Sequence, residues 1–301
     1  MTHGPLDDDA VESYRTAGAV LTEAVTEARS MVEPGRRQLA VAEWVEDFVR
    51  ESDAGLAFPV NLSVDAEASH ATPARDDETE FGEEMVCLDV GVHVDGYIAD
   101  AAVTVDHTGT PELVEAAEMA LEAAVDEAGP GVEVGVVGQA IEDVIRGYGY
   151  TPVLNLSGHG VERYDAHTGP TVPNRGVERS VELAPGQAVA IEPFATDGRG
   201  KVGEGTDEEI YEFEQSRSVR DRRARETLEA IEAFDDLPFA ARWLDGDRVT
   251  MSLRRLKQAN AIKGYPVLKE ADGALVSQAE HTLLITDDGV EVTTAGIHSF
   301  D

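Results

Sequence analysis

The dipeptide Asp95-Gly96 separates two apolar-rich runs, residues 85–94 and 97–105. Asp-Gly readily adopts the positive-φ pair of a type I′ turn, so the two runs are predicted to form a β-hairpin with a two-residue loop. Such a loop fixes the register: Val94 pairs with Tyr97, and Gly91 lies opposite Asp100. Leu88, Val90, Val92, Val94, Tyr97, Ala99, Ala101 and Val103 then share one face, which reads as core. Asp89 and Asp100 become diagonal neighbours on the opposite, non-core face. Unpaired carboxylates that close raise one another's pKa, and a divalent cation between them removes the conflict. The plainer alternative is a pair of solvated surface aspartates.

Four stretches have helical periodicity. Residues 11–31 follow the acidic run Asp7 to Asp9, and residues 37–51 place Leu39, Ala42 and Val45 on one side. Residues 112–128 stop at Gly129-Pro130-Gly131, and a shorter helix is predicted around 135–147. Further strands are predicted at 187–195 and 279–286. Helices mixed with hairpins indicate an α+β fold rather than alternating βαβ units. Residues 217–269 differ from the rest: they hold twelve Lys+Arg against eight Asp+Glu, look helical and strand-poor, and read as an insert.

Overall, 60 Asp+Glu against 24 Lys+Arg leave a formal net charge of -36, spread along most of the chain. Such a surface repels nucleic acid and anionic membranes. Only four of the basic residues are Lys, and acidity with Arg preferred reads as the protein of a halophile, whose salt screens the self-repulsion. The single cysteine, Cys87, excludes an internal disulfide framework and a multi-cysteine metal cluster. The start, Met1 to Asp9, has neither a basic region nor an apolar run, and no 18 consecutive residues are apolar, so a cytoplasmic protein with no membrane span is expected. Cys87 shares the predicted face of Asp89; a buried structural thiol is favoured over one that approaches the aspartates.

Three other segments carry chemistry. Asn155-Leu-Ser-Gly-His-Gly160, continuing to His167-Thr-Gly-Pro170, puts His159 and His167 in a Gly-rich stretch where packing does not require them. Ala190-Ile-Glu-Pro-Phe194 and Gln278-Ala-Glu-His-Thr282 each put a carboxylate, Glu192 and Glu280, inside an apolar strand. A buried Glu is rare unless it is paired or ligating, and with the two aspartates these features point to a metal site.

The motifs Leu88-Asp-Val-Gly-Val-His-Val-Asp-Gly-Tyr-Ile-Ala-Asp100, Leu156-Ser-Gly-His-Gly-Val-Glu-Arg-Tyr-Asp-Ala-His167, Ile191-Glu-Pro-Phe-Ala-Thr196 and Gln278-Ala-Glu-His281 resemble those of the methionine aminopeptidases, in particular the archaeal form of the type II branch. The resemblance runs over nearly the whole chain. It implies the pita-bread fold, a catalytic domain of residues 1–216 and 270–301 that contains two related αβ halves, and a helical insert subdomain, 217–269, that type I enzymes lack. It also implies two divalent ions (Co, Mn, Fe(II) or Zn) held by Asp89, Asp100, His159, Glu192 and Glu280, with Asp100 and Glu280 bridging. Four carboxylates and a neutral imidazole balance the charge of two such ions. By the same resemblance, Glu192 would shuttle a proton to the leaving amine. His70 and His167 would contact the peptide and its tetrahedral intermediate, and Phe58 and Tyr265 would form the methionine pocket and its rim. The implied activity is removal of the initiator methionine from nascent proteins and peptides, favouring a small second residue.

The sequence departs from the family at Ala166, where a bulkier apolar residue is common, and in the acidic segment between Phe58 and His70. Prolidases and aminopeptidase P share the fold and ligands but usually carry a long N-terminal domain, and only 88 residues precede Asp89. A non-catalytic binding relative would have lost ligands, and all five are present. A monomer is expected from the family and the charge repulsion. Arg217, Arg220, Arg222, Arg223 and Arg225 offer a basic patch for a weak ribosome contact. An exposed helix laced by Arg222–Glu226 and Arg225–Glu229 pairs is the favoured reading of the same residues. Met1 before Thr2 would itself be a substrate.

Overall fold

The computed structural model describes residues 6–246, 248–298 and 300; Met1 and Thr2 lie outside them. Helix α1 (Asp8–Met31) starts at Asp7, whose carboxylate accepts the Ala10 N–H at 2.8 Å, with Asp8 and Asp9 at the positive end of the dipole. α1 and α2 (Gln38–Glu51) lay Leu21, Val25, Val41 and Val45 on Leu88, Val90, Val92, Ala99, Ala101 and Val103, the predicted core face of the hairpin. In the second half, α3 (Pro111–Glu127) and α4 (Val134–Gly147) bury Leu113, Leu121, Val137, Ile141 and Ile145 against Val172, Val189, Ile191, Leu283 and Ile285. Each half is therefore a helix pair on a sheet. No helix among the described residues is long and apolar enough to cross a membrane.

The hairpin runs Met85–Val94 and Tyr97–Asp106 in the predicted register, with Val94 opposite Tyr97 and Gly91 opposite Asp100. Asp95 and Gly96 take φ of 52° and 87°, as a type I′ turn requires. Its aspartate face is not solvated: Asp89 is 8% and Asp100 3% exposed. The His281–Ile285 strand passes beside it, and the Thr282 hydroxyl accepts the Asp100 N–H at 2.8 Å and donates to the Asp100 carbonyl at 2.9 Å.

Neither of the two other predicted strands runs as one over its span: the first is broken within it, and the second starts only at His281, after a separate strand that precedes the predicted start. The first runs as Ala188–Ile191 and Phe194–Thr196, the second as Val276–Gln278 and His281–Ile285, and the pieces belong to different sheets. Pro193 has no N–H for a central ladder, so the pairing stops there. The register nevertheless carries across the gap: Ile191 pairs with His281 and Phe194 with Gln278, which leaves Glu192 and Glu280 facing each other at the crossing. There the Ala279 N–H donates to the Pro193 carbonyl at 3.3 Å, and the Glu280 N–H to the Ala102 carbonyl of the hairpin at 3.0 Å.

Residues 217–269 contain α5 (Arg222–Ile231) and α6 (Val249–Gln258). A small sheet of Ile210–Phe213, Phe239–Ala240 and Ile262–Tyr265 lies under the two helices, around a separate apolar cluster that includes Leu228, Ile231, Phe239, Leu253, Leu256 and Ile262. Arg222 pairs with Glu226 at 3.3 Å. Arg225 does not take Glu229; its guanidinium donates to the Val219 and Arg220 carbonyls at 3.1 and 2.9 Å, tying down the chain that leads into the helix.

Candidate metal centre

The hairpin, the strand crossing and the histidine strands converge on one cavity of about 190 Å³. Asp89, Asp100, His159, Glu192, Glu280, His70, His167, Phe58 and Tyr265 all line it, so every site residue expected from the sequence comes to one place. Asp89 and Asp100 arrive by strand alternation, whereas Glu192 and Glu280 arrive where two strands change sheets. His159 lies on Ser157–Glu162 and His167 on Asp165–Pro173; these strands pair with each other, and the two rings stand 4.7 Å apart.

Ligand atoms of Asp100, His159 and Glu280 lie within 4.8 Å of one another, while Asp89 and Glu192 line the same cavity outside that group. Among the described residues, no donor reaches Asp89 Oδ1, Asp100 Oδ1 or Glu280 Oε1, although all three are buried. Buried anionic oxygens without donors are costly, and a divalent cation satisfies them. Burial pushes Asp89 up to about 7. It also raises Asp100, Glu192 and Glu280 well above the carboxylate range, reinforced by the charges they place on one another. His159 Nδ1 donates to the Gly160 carbonyl at 3.2 Å, which leaves Nε2, 3.9 Å from Asp100, with its lone pair on the cavity side. Burial lowers its pKa, so the imidazole is neutral, as a ligand must be. The donor set therefore fits an oxygen-rich divalent metal site with one nitrogen.

On the other wall, burial holds His70 and His167 neutral; His167 is lowered to about 3, with the neighbouring His159 and His70 adding to the effect. His70 Nδ1 is 3.3 Å from the Pro266 carbonyl and its ring centre 5.1 Å from that of Tyr265. The Phe58 ring lies against Gly91, where an added Cβ would come within 2.2 Å of it. Ala166 is not on the cavity surface; it packs behind, in the apolar cluster that contains Phe58.

Three residues at or beside the site have no role in the sequence reading. Gln278 donates from Nε2 to Glu280 at 3.0 Å and Glu192 at 3.3 Å, joining the two glutamates. Its position two residues before Glu280 was the available signal. Asn61 is the strand partner of Asp89 and holds the Pro59 carbonyl at 3.0 Å, and Thr282 brackets Asp100 as described. Neither betrays itself in the sequence, because both depend on pairing across the sheet. Cys87 is buried, with its sulfur 3.4 Å from the Thr104 hydroxyl and the Val276 carbonyl, and burial raises the thiol to about 11. It is a structural thiol.

The sequence pattern of the Metallopeptidase family M24 matches residues 12–245. A methionine aminopeptidase of Archaeoglobus fulgidus is 47% identical over 291 residues, covering 96% of this chain and 100% of its own. Among solved structures, a thermophilic Arx1 superposes with a TM-score of 0.86 at 17% identity, covering 96% of this chain and 91% of that one. The methionine aminopeptidase of Thermotoga maritima gives 0.71 at 24% identity, covering 98% and 100%. At those identities the two structures speak for the shared pita-bread fold alone, whereas the Archaeoglobus protein is similar over nearly its full length and in sequence as well. The chain thus belongs to metallopeptidase family M24 and, within it, to the methionine aminopeptidases.

Proposed function

We propose that the protein removes the N-terminal methionine of nascent proteins and peptides as a type II methionine aminopeptidase of the archaeal form, using two divalent ions (Co, Mn, Fe(II) or Zn) and favouring a small second residue. The observation that carries this reading is the convergence of four carboxylates, three of them buried and with donorless oxygens, and one neutral imidazole on a cavity whose other wall is Phe58, His70, His167 and Tyr265. When bound, the ions activate a water and polarise the carbonyl that follows the methionine. Asp89, Asp100, His159, Glu192 and Glu280 hold them, with Gln278 fixing both glutamates. Glu192 also carries the proton from the attacking water towards the leaving amine. His70 and His167, kept neutral by burial, each offer one N–H and one lone pair to the peptide and the tetrahedral oxygen. Phe58 and Tyr265 give the methionine side chain an apolar wall and rim.

The type II assignment is supported by the self-cored insert between Glu192 and Glu280, and the halophilic one by the acidic, Lys-poor composition. A monomer that works on N-terminal segments, away from membranes, belongs to the same reading. Release of methionine from Met-Ala-Ser in molar KCl, with and without chelator, beside an Ala-Pro peptide, tests it. Chelator-sensitive cleavage of the first peptide alone is expected. Cleavage of the proline peptide alone would move the protein to the prolidases, and failure on both after reloading with Mn, Fe(II) or Co would make it a binding relative.

A further inference from the structure

The insert is joined to the loop that follows His70 by a buried polar clasp centred on Arg242, which is 9% exposed. Arg242 lies in the short turn Ala241–Trp243, and its guanidinium reaches out of the insert into the catalytic half. One terminal nitrogen donates to the Thr72 hydroxyl at 2.7 Å and to the Pro73 carbonyl at 2.8 Å. The other meets the buried carboxylate of Glu46 on α2. Glu46 also accepts the Trp243 indole N–H at 2.8 Å. From the opposite direction, Arg75 donates to the Arg242 and Leu244 carbonyls at 2.7 and 2.6 Å. Thr72, Pro73 and Arg75 belong to the loop that begins at His70.

The loop is already anchored at its start, where Ser69 pairs with Leu268 and the Ala71 carbonyl accepts the Leu62 N–H at 2.7 Å, and the clasp adds the hold farther along, at Thr72 to Arg75. His70 sits at φ 64°, in the left-handed region, and its ring is fixed by the Pro266 carbonyl at the far edge of the insert. Thr72 passes the restraint inward by donating to the Val60 carbonyl at 2.7 Å, one residue before the strand that pairs with Asp89. The insert therefore grips His70 from two sides, by its ring through Pro266 and by its loop through Arg242. An apolar contact would permit sliding, whereas a guanidinium fork bound to three acceptors fixes direction as well as distance.

We propose that Arg242 is a positioning residue for the hydrolysis: its guanidinium couples the insert and α2 to the 70–75 loop and thereby sets where the His70 imidazole stands in the cavity. The proposal rests on the reading of His70 as a substrate-contacting group. Arg242→Lys keeps the charge and loses the fork, so it frees the loop without emptying the clasp.

The test is a double-mutant cycle on metal-loaded enzyme, with kcat and KM for methionine release from Met-Ala-Ser measured for wild type, Arg242→Lys, His70→Ala and the double variant. Arg242→Lys is expected to lower kcat on the order of 10- to 100-fold with KM and metal content little changed. The same substitution is expected to cost nothing further in the His70→Ala background. An equal loss in both backgrounds, or no loss in the first, overturns the proposal and leaves the role of His70 standing. Full activity of His70→Ala removes that role and the proposal with it. Should Arg242→Lys fail to fold, Thr72→Val, which removes the hydroxyl that links Arg242 to the Val60 carbonyl and leaves the bond from Arg242 to Pro73, enters the same cycle with the same direction of effect expected.

Discussion

Two pairs of carboxylates meet in the cavity, and they are put there in opposite ways. Asp89 and Asp100 sit on an unbroken ladder whose register is set by a two-residue turn between them. Glu192 and Glu280 are 88 positions apart and sit where the ladder is interrupted, each between a strand of one sheet and a strand of another. The first pair is placed by local turn chemistry and the second by a long-range crossing. Continuous pairing gives direction to a side chain by alternation alone, whereas a break needs an extra tether. Gln278 is that tether, bonded to both glutamates.

The largest effect is expected at Glu280, the buried member of the crossing pair. Glu280→Gln is expected to reduce methionine release about 10³-fold or more, since a ligand charge is lost from the centre that polarises the substrate. The same variant is expected to narrow the gap in Tm between metal-loaded and chelated protein, because one of four mutually repelling carboxylates is gone. An unchanged gap in thermal scans would mean that the carboxylates do not share a cation. Gln278→Ala acts on the tether alone: a loss of about 10- to 100-fold in metal affinity is expected, read by metal titration, with the hairpin aspartates undisturbed. If metal affinity were unaffected, the crossing would hold its glutamates without help.

The hairpin side is sharpened at its turn. Gly96 has φ 87°, and a Cβ there would come within 2.4 Å of the Tyr164 ring, which caps the turn while the Tyr164 N–H donates to the Gly96 carbonyl at 2.8 Å. Gly96→Ala is therefore expected to cost about 1–3 kcal/mol of stability in urea unfolding, with little change in metal affinity. A metal affinity that fell along with the stability would show that the turn positions the aspartates as well as joining their strands.

Much of this was legible in the sequence for the same reason that the hairpin is robust. The register of residues 85–106 and the core faces of the first three helices follow from short-range periodicity and turn residues, and the carboxylates and histidines stand out as candidates by their apolar or Gly-rich settings, while the five-residue ligand set is what the family resemblance implies. What escaped depends on partners far along the chain. The strand at 187–195 reads as continuous because it is mostly apolar, and Pro193 marks the break only once a central ladder is known to run there. Asp89 and Asp100 lie on a face that looks solvent-exposed until a strand from residues 281–285 is laid beside it. Arg242 counted as one charge of a basic insert, and nothing in its neighbours says that it reaches Thr72, 170 positions away.

The acid-walled cavity also bears on how reactants arrive. Four of its lining groups are Asp or Glu, which two divalent ions would balance, whereas the chain as a whole carries a net charge of -36, so the field around the protein stays negative when the site is loaded. A divalent metal is drawn in by that field. So is a free amino terminus, whose ammonium is the one charge that every substrate of an aminopeptidase shares, whatever residues follow. An acetylated or formylated terminus lacks that charge and meets no such attraction, so encounter itself sorts open chain ends from blocked ones before any side chain is read.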